Sequence, residues 1–238
     1  MANPWFRFKQ FTVWHDQCAM KVGTDGVLLG AWANAENANT LLDVGTGSGL
    51  IALMLAQRYA SLRITGIDID EATACQAGDN FAKSPWNQRL TVLHCSLQDF
   101  AANCSHPFDA IVSNPPFFKQ SLPSPDRQRT IARHASLLTP ETLLEHSMQL
   151  LSANGSLHLI LPVAEGEALI KTAEKFQLHC QKATYVYPKP DSEPKRLLIR
   201  LKKAADISLH DTLTIETGIR HLYTEEYIRL TREFYLNM

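Results

Sequence analysis

The feature that most constrains the fold is the glycine-rich run Asp43-Val-Gly45-Thr-Gly47-Ser-Gly49. It follows a short apolar stretch, 40–44, and precedes a stretch of good helix formers, 50–59. Glycines at such a junction allow a tight turn and let a ligand approach backbone N–H groups closely. The run therefore predicts a strand, a ligand-binding turn and a helix in direct succession.

Strand-like and helix-like stretches alternate through the middle of the chain. This alternation is typical of a parallel sheet that is covered by helices on both faces. After the glycine run, strands are predicted at 62–67, 90–94, 108–113 and 156–161, and helices at 71–83, 140 to about 154, and 165–176. Thr139 and Pro140 mark the start of the second of these helices as N-cap and first position, and Asn154-Gly155 mark its end.

Two more strands are predicted at 180–187 and 196–201. The segment between them, 188–195, is too short for a helical crossover, so the two strands are expected to form an antiparallel hairpin at the sheet edge. The expected fold class is α/β, with a doubly wound, mostly parallel sheet of seven strands. No repeat or long linker divides the chain, which predicts one domain.

The single domain, 1–238, is expected to comprise an N-terminal extension, 1–39, a catalytic core, 40–203, and a C-terminal cap, 204–238. Apolar residues make up 45% of the 238 residues and charged residues 20%, which is ordinary globular usage and excludes a disordered or fibrous chain. The sequence has no membrane-length apolar stretch and no apolar run of signal-peptide length, so a cytoplasmic protein is expected, as a monomer. The five cysteines form no Cys-x-x-Cys pair, which argues against a disulfide framework or a cysteine-based metal site.

The net charge of −1 hides an uneven distribution of charge along the chain. The segments 119–134 and 182–203 together contain eleven basic and three acidic side chains, a net +8, which leaves −9 for the rest of the chain. Such asymmetry can place a basic surface on a protein that is nearly neutral overall. Nucleic acid therefore stays among the partners that the composition allows.

An acid at the end of the second predicted strand narrows the kind of ligand. Asp68 lies 23 residues after Gly45, where a carboxylate can bind the two hydroxyls of a ribose. A dinucleotide fingerprint would require glycine at position 50, where this chain has Leu50. Asp43, two residues before the first glycine, also suits a cationic ligand better than a pyrophosphate.

Together these residues resemble motif I and the ribose acid of the class I S-adenosylmethionine-dependent methyltransferases, which have a Rossmann-like fold. The resemblance implies S-adenosylmethionine as the cofactor. It places Asp43, the three loop glycines and Asp68 in the cofactor site. One departure concerns the third strand: Ser96 stands where an acid near the cofactor adenine is usual. Ser96 or the backbone N–H of Leu97 is then the candidate adenine contact, and Asp99 is either a late substitute for the acid or a helix cap.

Ser113-Asn114-Pro115-Pro116-Phe117 follows the fourth core strand. Two prolines exclude a helix and fix an extended, rigid loop, which suits residues that hold a reacting group. With the glycine run, this element resembles methyltransferases that alkylate a planar exocyclic nitrogen. The resemblance makes the Asn114 side-chain oxygen and the Pro115 carbonyl acceptors for the two N–H bonds, with Phe117 stacked on the target base.

Asn-Pro-Pro-aromatic occurs in adenine N6-methyltransferases and in glutamine N5-methyltransferases of release factors. The latter usually carry a larger helical N-terminal domain than the roughly 40 residues present here. The leader 11–32 and the segments 129–134, 188–196 and 223–236 instead resemble a bacterial tRNA adenine N6-methyltransferase family, which modifies the adenine next to the anticodon of a valine tRNA. A non-catalytic RNA-binding protein on the same fold is the other alternative.

The resemblance implies that the anticodon stem-loop of a tRNA is the partner. RNA read by sequence is usually single-stranded, with bases stacked on aromatic rings and phosphates neutralised by Lys and Arg. An aromatic residue and cations after the proline loop, and two cations in the predicted hairpin, fit that requirement. The candidate RNA contacts are Phe118, Lys119, Arg127, Arg129, Arg133, Lys195 and Arg196.

Overall fold

The computed structural model describes residues 3–116 and 138–238. Its strands are β1 Trp5–Arg7, β2 Thr12–Trp14, β3 Thr40–Val44, β4 Arg63–Asp68, β5 Leu90–His94, β6 Phe108–Ser113, β7 Leu151–Pro162, β8 His179–Tyr187, β9 Arg196–Lys202 and β10 Leu209–Thr214. Its α-helices are α1 Thr24–Trp32, α2 Leu50–Arg58, α3 Glu71–Ala82, α4 Leu97–Asn103, α5 Pro140–Leu150, α6 Val163–Ala173 and α7 Glu225–Thr231. Short 3₁₀ turns lie at Asn87–Arg89 and Glu174–Phe176.

Eight strands form one sheet in the order β10-β8-β9-β7-β6-β3-β4-β5. Strand β9 is antiparallel to both of its neighbours, and the other pairings are parallel. The strand order reverses between β3 and β6, which is where open α/β sheets bind ligands at the carboxyl ends of their strands. The glycine run leaves β3 and the Asn-Pro-Pro element leaves β6, so both follow neighbouring strands at this point.

Apolar cores lie on both faces of the sheet. Helices α1, α2, α3 and α7 belong to one core, with residues such as Leu28, Met54 and Phe81. Helices α4, α5 and α6 belong to the other, with residues such as Leu144 and Leu169. Each core excludes water from one side of the sheet, which is the main stabilising contribution to a fold of this kind.

The α/β class, the mostly parallel doubly wound sheet and the antiparallel pair of strands are confirmed. The sheet has one strand more than expected, because β10 in the predicted C-terminal cap pairs with β8. The β8–β9 hairpin therefore does not lie at the edge. The sequence signal for β10 is weak, because Leu213 is the only buried residue of this strand.

Two boundaries differ from the sequence predictions. Helix α5 starts at the predicted N-cap, Thr139, but ends at Leu150, and the predicted stop at 154–155 lies inside strand β7. The strand can begin earlier because Leu151 is buried beside Phe108 in the register of β6. Helix α1 begins at Thr24 with Gly23 as its N-cap, and Asp25 lies in its first turn.

Within residues 3–116 and 138–238, every helix is too short or too polar to cross a lipid bilayer. The same residues contain no group of three potential metal ligands close enough together to hold an ion.

Candidate active site

The glycine run forms a tight loop whose three glycines, Gly45, Gly47 and Gly49, have φ of 68°, 58° and 79°. This left-handed backbone is costly for residues with a Cβ, which explains glycine at all three positions. Most of the loop's N–H groups bind protein acceptors. Those of Gly45 and Thr46 donate to the Ile67 carbonyl at 3.0 and 2.9 Å, and that of Gly49 donates to the Thr46 carbonyl at 2.9 Å.

These internal bonds determine what the loop can hold. A pyrophosphate site needs backbone N–H groups that point at the ligand, and here they point at strand β4 and at the loop itself. A Cβ at Gly45 would meet no atom within 4 Å, so the loop faces open space on that side. The geometry therefore fits a ligand that packs against the backbone without phosphate groups.

Asp43, at the penultimate position of β3, is fully buried. Its Oδ2 accepts a 2.7 Å hydrogen bond from the Thr46 hydroxyl, and its Oδ1 has no hydrogen-bond partner among the described residues. Burial raises the pKa of this carboxyl to about 7, the negative charge of Asp68 adds to the rise, and the Thr46 hydroxyl and the Ala52 backbone oppose it. A cationic group close to Asp43 would favour its ionised form.

Asp68, at the end of β4, is half-buried and joined to the glycine loop. Its Oδ2 accepts a 2.9 Å hydrogen bond from the Gly47 N–H, and its Oδ1 accepts one of 3.0 Å from the Asp70 N–H. Each carboxylate oxygen has a second lone pair, so the same oxygens can also accept hydrogen bonds from hydroxyl groups of a ligand.

Ser96 follows β5 and is the N-cap of helix α4. Its hydroxyl accepts a 3.0 Å hydrogen bond from the Asp99 N–H and donates one of 2.6 Å to the Asp99 carboxylate. Ser96 is thus a side-chain N-cap whose hydroxyl is also held by the Asp99 carboxylate, which accounts for the spacing of the two residues without a ligand. Leu97 is buried in the first turn of the helix, which begins three residues after the end of β5.

Asn114 and Pro115 follow β6 directly. The preceding residue, Ser113, is fully buried and donates a 2.8 Å hydrogen bond to the Val44 carbonyl, the last residue of β3 before the glycine loop. Asn114 Oδ1 is buried and has no hydrogen-bond partner among the described residues. Since a buried carbonyl oxygen is costly to leave unpaired, this atom is poised to accept a hydrogen bond from a ligand.

Several predicted site residues fall outside the described residues. They are Phe117, Phe118, Lys119, Arg127, Arg129 and Arg133.

The remaining two predicted RNA contacts lie where β9 begins. Lys195 is exposed, whereas Arg196 is half-buried and forms an ion pair with Asp25 of helix α1, with an Nε–Oδ2 distance of 2.7 Å. Because β9 is antiparallel, its first residue lies at the carboxyl ends of β7 and β8. The ion pair therefore holds the first turn of α1 against the carboxyl ends of the strands, where the other site residues lie.

Two supporting residues were not predicted from the sequence, Thr46 and Asn80. Thr46 is the hydroxyl donor to Asp43. Asn80 of α3 is 1% exposed and its side chain bonds both Ser48 of the loop and Trp14 of β2. The sequence does contain a signal that could have pointed to Asn80: it is a polar residue next to Phe81 on the inner side of a helix.

A cavity of about 370 Å³ lies elsewhere, lined by polar side chains that include Asp109, Ser152 and Arg200. These residues are at the amino ends of β6 and β7 and at the far end of β9, away from the glycine loop. We therefore place the candidate site at the carboxyl ends of the strands, where the predicted site residues lie, and not at this cavity.

The fold and the residues at these strand ends define a class I S-adenosylmethionine-dependent methyltransferase: the glycine loop has space beside it but few N–H groups free for a phosphate, and Asp43 and Asp68 lie at the carboxyl ends of the first two core strands. Residues 19–186 match the family model of the methyltransferase small domain. The chain belongs to this family.

Full-length relatives place the chain more finely. It is 50% identical to a tRNA1(Val) (adenine(37)-N6)-methyltransferase of Phocaeicola vulgatus over 239 residues, covering 100% of both chains. It is 49% identical to the protein of the same name in Parabacteroides distasonis, again covering 100% of both. The protein of that name in Actinobacillus succinogenes is 43% identical, over 99% of this chain and 98% of the relative.

Solved structures agree on the fold. A crystal structure described as a predicted O-methyltransferase from Agrobacterium tumefaciens superposes with a TM-score of 0.69 at 18% identity, covering 88% of this chain and 96% of that one. A ribosomal protein methylase from Lactobacillus delbrueckii gives a TM-score of 0.54 at 17% identity, covering 76% and 77%. At such low identity these structures support the fold and not the substrate.

Proposed function

We propose that this protein methylates the exocyclic N6 of adenine 37, the base 3′ to the anticodon, in a valine tRNA, with S-adenosylmethionine as methyl donor. The reaction class and the substrate agree with the names of relatives that are 43–50% identical over essentially the whole chain. The observation in the molecule that carries the proposal is Asn114 Oδ1, a buried acceptor without a partner among the described residues.

The residues that would hold the cofactor are those around the glycine loop. We assign the ribose hydroxyls to the Asp68 carboxylate and the adenine to the Ser96–Leu97 turn. Asp43 is assigned to the positively charged end of the cofactor, where its buried carboxylate would gain a counter-charge. Gly45, Gly47 and Gly49 provide the close approach, since a side chain at any of them would strain the left-handed backbone.

The substrate nitrogen needs help because its lone pair is delocalised into the adenine ring. Asn114 Oδ1 and the Pro115 carbonyl would each accept one of its N–H bonds, which favours a pyramidal nitrogen with a directed lone pair. The cofactor supplies an electrophilic methyl group on a sulfonium. Positioning by these two acceptors should therefore provide most of the rate enhancement, and little acid–base assistance is needed.

The rest of the RNA site is proposed from the sequence. Phe117 would stack on the target adenine, which has to leave its stack in the anticodon loop to reach the pocket. Phe118 and the cations at 119, 127, 129 and 133 would contact the anticodon stem-loop beside it. Lys195 is proposed as a phosphate contact. Arg196 is proposed as a second phosphate contact, and its ion pair with Asp25 would orient its side chain.

We also propose that residues 1–238 act as one catalytic domain, in the cytoplasm and as a monomer. The single-domain proposal is supported by α1, α7 and the β1–β2 hairpin, which contribute Leu28, Tyr227 and Phe8 to the core over the catalytic sheet. Sedimentation of the purified protein at several concentrations tests the oligomeric state.

The decisive experiment is transfer of labelled methyl from S-adenosylmethionine to total tRNA from cells that lack this protein, followed by nucleoside analysis. We expect label in N6-methyladenosine, and in one valine tRNA after separation of the species. A parallel reaction with purified release factor tests protein glutamine methylation. Label in the protein, in another nucleoside, or in neither substrate would overturn the proposed function.

A further inference from the structure

The outer face of the N-terminal hairpin carries two tryptophans side by side. Trp5 of β1 and Trp14 of β2 are register partners, with ring centroids 6.4 Å apart. They are 37% and 38% exposed. The opposite face packs inward, because Val13 is fully buried and Phe8, just after β1, is 1% exposed. Phe6, on the opposite face of β1, is also 37% exposed but lies against the rings of Phe8 and Tyr235, so Trp5 and Trp14 are the exposed aromatic pair on the outer face.

Two cations flank this pair. Lys83 Nζ, at the end of α3, lies 5.8 Å from the centroid of the Trp14 ring. Arg7 lies two residues after Trp5 and therefore on the same face of the strand. Both side chains are exposed, and neither forms an ion pair with any described residue. A cleft of about 380 Å³ runs along this face between Trp5, Arg7 and Trp14.

The pair is connected to the cofactor loop by a single side chain. Asn80 accepts a 3.0 Å hydrogen bond from the Trp14 N–H and donates one of 2.8 Å to the Trp14 carbonyl. The same amide donates a 2.9 Å hydrogen bond to the Ser48 carbonyl in the glycine loop. One buried side chain therefore joins the backbone of Trp14 to the glycine loop.

We infer that this surface, formed by Trp5, Trp14, Arg7 and Lys83, is a second contact for the tRNA and stacks on an unpaired base outside the methylation pocket. Exposed aromatic rings beside cations are what single-stranded RNA requires, since every base has a stacking face and every nucleotide a phosphate. The inference rests on the proposed function, because it takes tRNA as the substrate.

A second copy of the chain fits this surface less well. Across a two-fold axis the same patch meets itself, so two copies each of Arg7 and Lys83 would share one small interface. Like charges brought together at an interface are unfavourable, whereas the phosphates of RNA would neutralise both cations.

The first test is kinetic and compares Trp5→Ala/Trp14→Ala with the wild-type protein. We expect the KM for tRNA to rise about tenfold, in line with the loss of base stacking. The kcat at saturating tRNA and the affinity for S-adenosylmethionine should not change, because neither ring touches the reacting groups. Trp5→Phe/Trp14→Phe keeps two stacking rings and should restore most of the KM. The control is Ile207→Ala, which truncates a residue that is 85% exposed just before β10.

A second test reads the contact without any methyl transfer. Replacing Trp32 and Trp86 by Phe leaves the pair as the only tryptophan fluorophores, since the chain has 4 Trp. Unmodified tRNA should quench their emission and protect it from iodide. Because this readout does not depend on catalysis, it separates failure of this inference from failure of the proposed function.

Three results would overturn the inference. They are an unchanged KM in the double Ala variant, absence of quenching by tRNA, and self-association of the wild-type protein that the double Ala variant abolishes. The last result would assign the surface to a second copy. Thermal unfolding of each variant, followed by circular dichroism, verifies that the compared proteins are folded.

Discussion

Asp68 accepts a hydrogen bond from the backbone N–H of Gly47, so the acid at the end of β4 and the glycine loop after β3 form one unit. The other carboxylate oxygen of Asp68 accepts a hydrogen bond from the Asp70 N–H. Asp68 thereby holds the loop, and in the proposed function it also offers acceptors to a ribose.

Replacing Asp68 by Ala should therefore weaken S-adenosylmethionine binding at least tenfold, because hydrogen bonds to a charged group are worth about 1.5–3 kcal/mol each. Isothermal titration with the cofactor measures the change. Glu71→Gln removes a charge nearby, in the first turn of α3, and serves as the control. Equal affinity of Asp68→Ala and the wild-type protein would remove Asp68 from the cofactor site.

Asn114→Ala should lower kcat for methyl transfer to tRNA by about a hundredfold or more, the usual effect of losing one positioned hydrogen-bonding group. Cofactor affinity should remain, because the amide is assigned to the substrate. Asn154→Ala makes the same chemical change at an exposed residue of β7 and should have wild-type kinetics. Full turnover by Asn114→Ala would refute the proposed mechanism.

Gly49→Ala and Gly45→Ala should differ in stability although both glycines have positive φ. A Cβ at Gly49 would lie 2.5 Å from Cε1 of Phe81, whereas one at Gly45 meets nothing within 4 Å. We expect Gly45→Ala to cost about 1–2 kcal/mol from backbone strain alone, and Gly49→Ala to cost clearly more. Urea unfolding measures both. Phe81→Leu should recover part of the loss in the Gly49 variant and none in the Gly45 variant.

The Arg196–Asp25 ion pair predicts coupled effects on stability. Its side chains are 30% and 21% exposed, so a double-mutant cycle should give a coupling of about 1 kcal/mol or less. If Arg196 also contacts RNA, Arg196→Ala raises the KM for tRNA more than Asp25→Ala does. Lys195 is an exposed neighbour that is not part of this ion pair. Lys195→Ala therefore measures how the loss of a positive charge alone changes the KM for tRNA. Additive losses of stability would show that the pair is not coupled.

His158 predicts a loss of stability in acid. It is 1% exposed, with Nε2 2.8 Å from the Ser156 hydroxyl. Burial lowers the pKa of the imidazole to about 3, with the positive charges of Arg200, Arg58 and Lys202 adding to the effect. The unfolded chain has the ordinary pKa of about 6.5 and binds the proton first. The contribution of neutral His158 is therefore present above pH 6.5 and is lost as the pH falls from 6.5 towards 3.

His158→Gln cannot take up that proton, so its free energy of unfolding should depend less on pH in this range. Urea unfolding at pH 7, 5.5 and 4.5 compares the two proteins. Parallel pH profiles would contradict the assignment of the acid sensitivity to this residue.

The core of the fold could be predicted because its signals are local. Strands β3, β5 and β6 match the predicted ranges since short apolar runs end at glycine, serine or asparagine. The same holds for the tight turn after β3, which the three glycines predict, whereas the cofactor role of this loop and of Asp68 stays a prediction. Ser96 and Asp99 show the limit of spacing, since the pattern fits an adenine contact or a helix cap equally well, and only the hydrogen bonds show that Ser96 caps α4.

Long-range partners could not be predicted in this way. Nothing near Asn80 in the sequence indicates Ser48 or Trp14, which are 32 and 66 residues away. Strand β10 was missed because a strand with one buried residue has almost no alternation to detect. The ion pair of Arg196 could not be predicted, because its acidic partner lies 171 residues earlier.

The side-chain amide of Asn80 forms hydrogen bonds through its oxygen and both of its N–H groups. Its partners lie in two separate segments, the β1–β2 hairpin and the glycine loop. Being 1% exposed, it has no water to replace a partner that moves away. A shift of Ser48 must therefore be followed by Trp14 or break a buried hydrogen bond. By reciprocity, if a ligand of the glycine loop changes the affinity of the β1–β2 hairpin for its own ligand, the hairpin's ligand changes the affinity of the loop by the same factor.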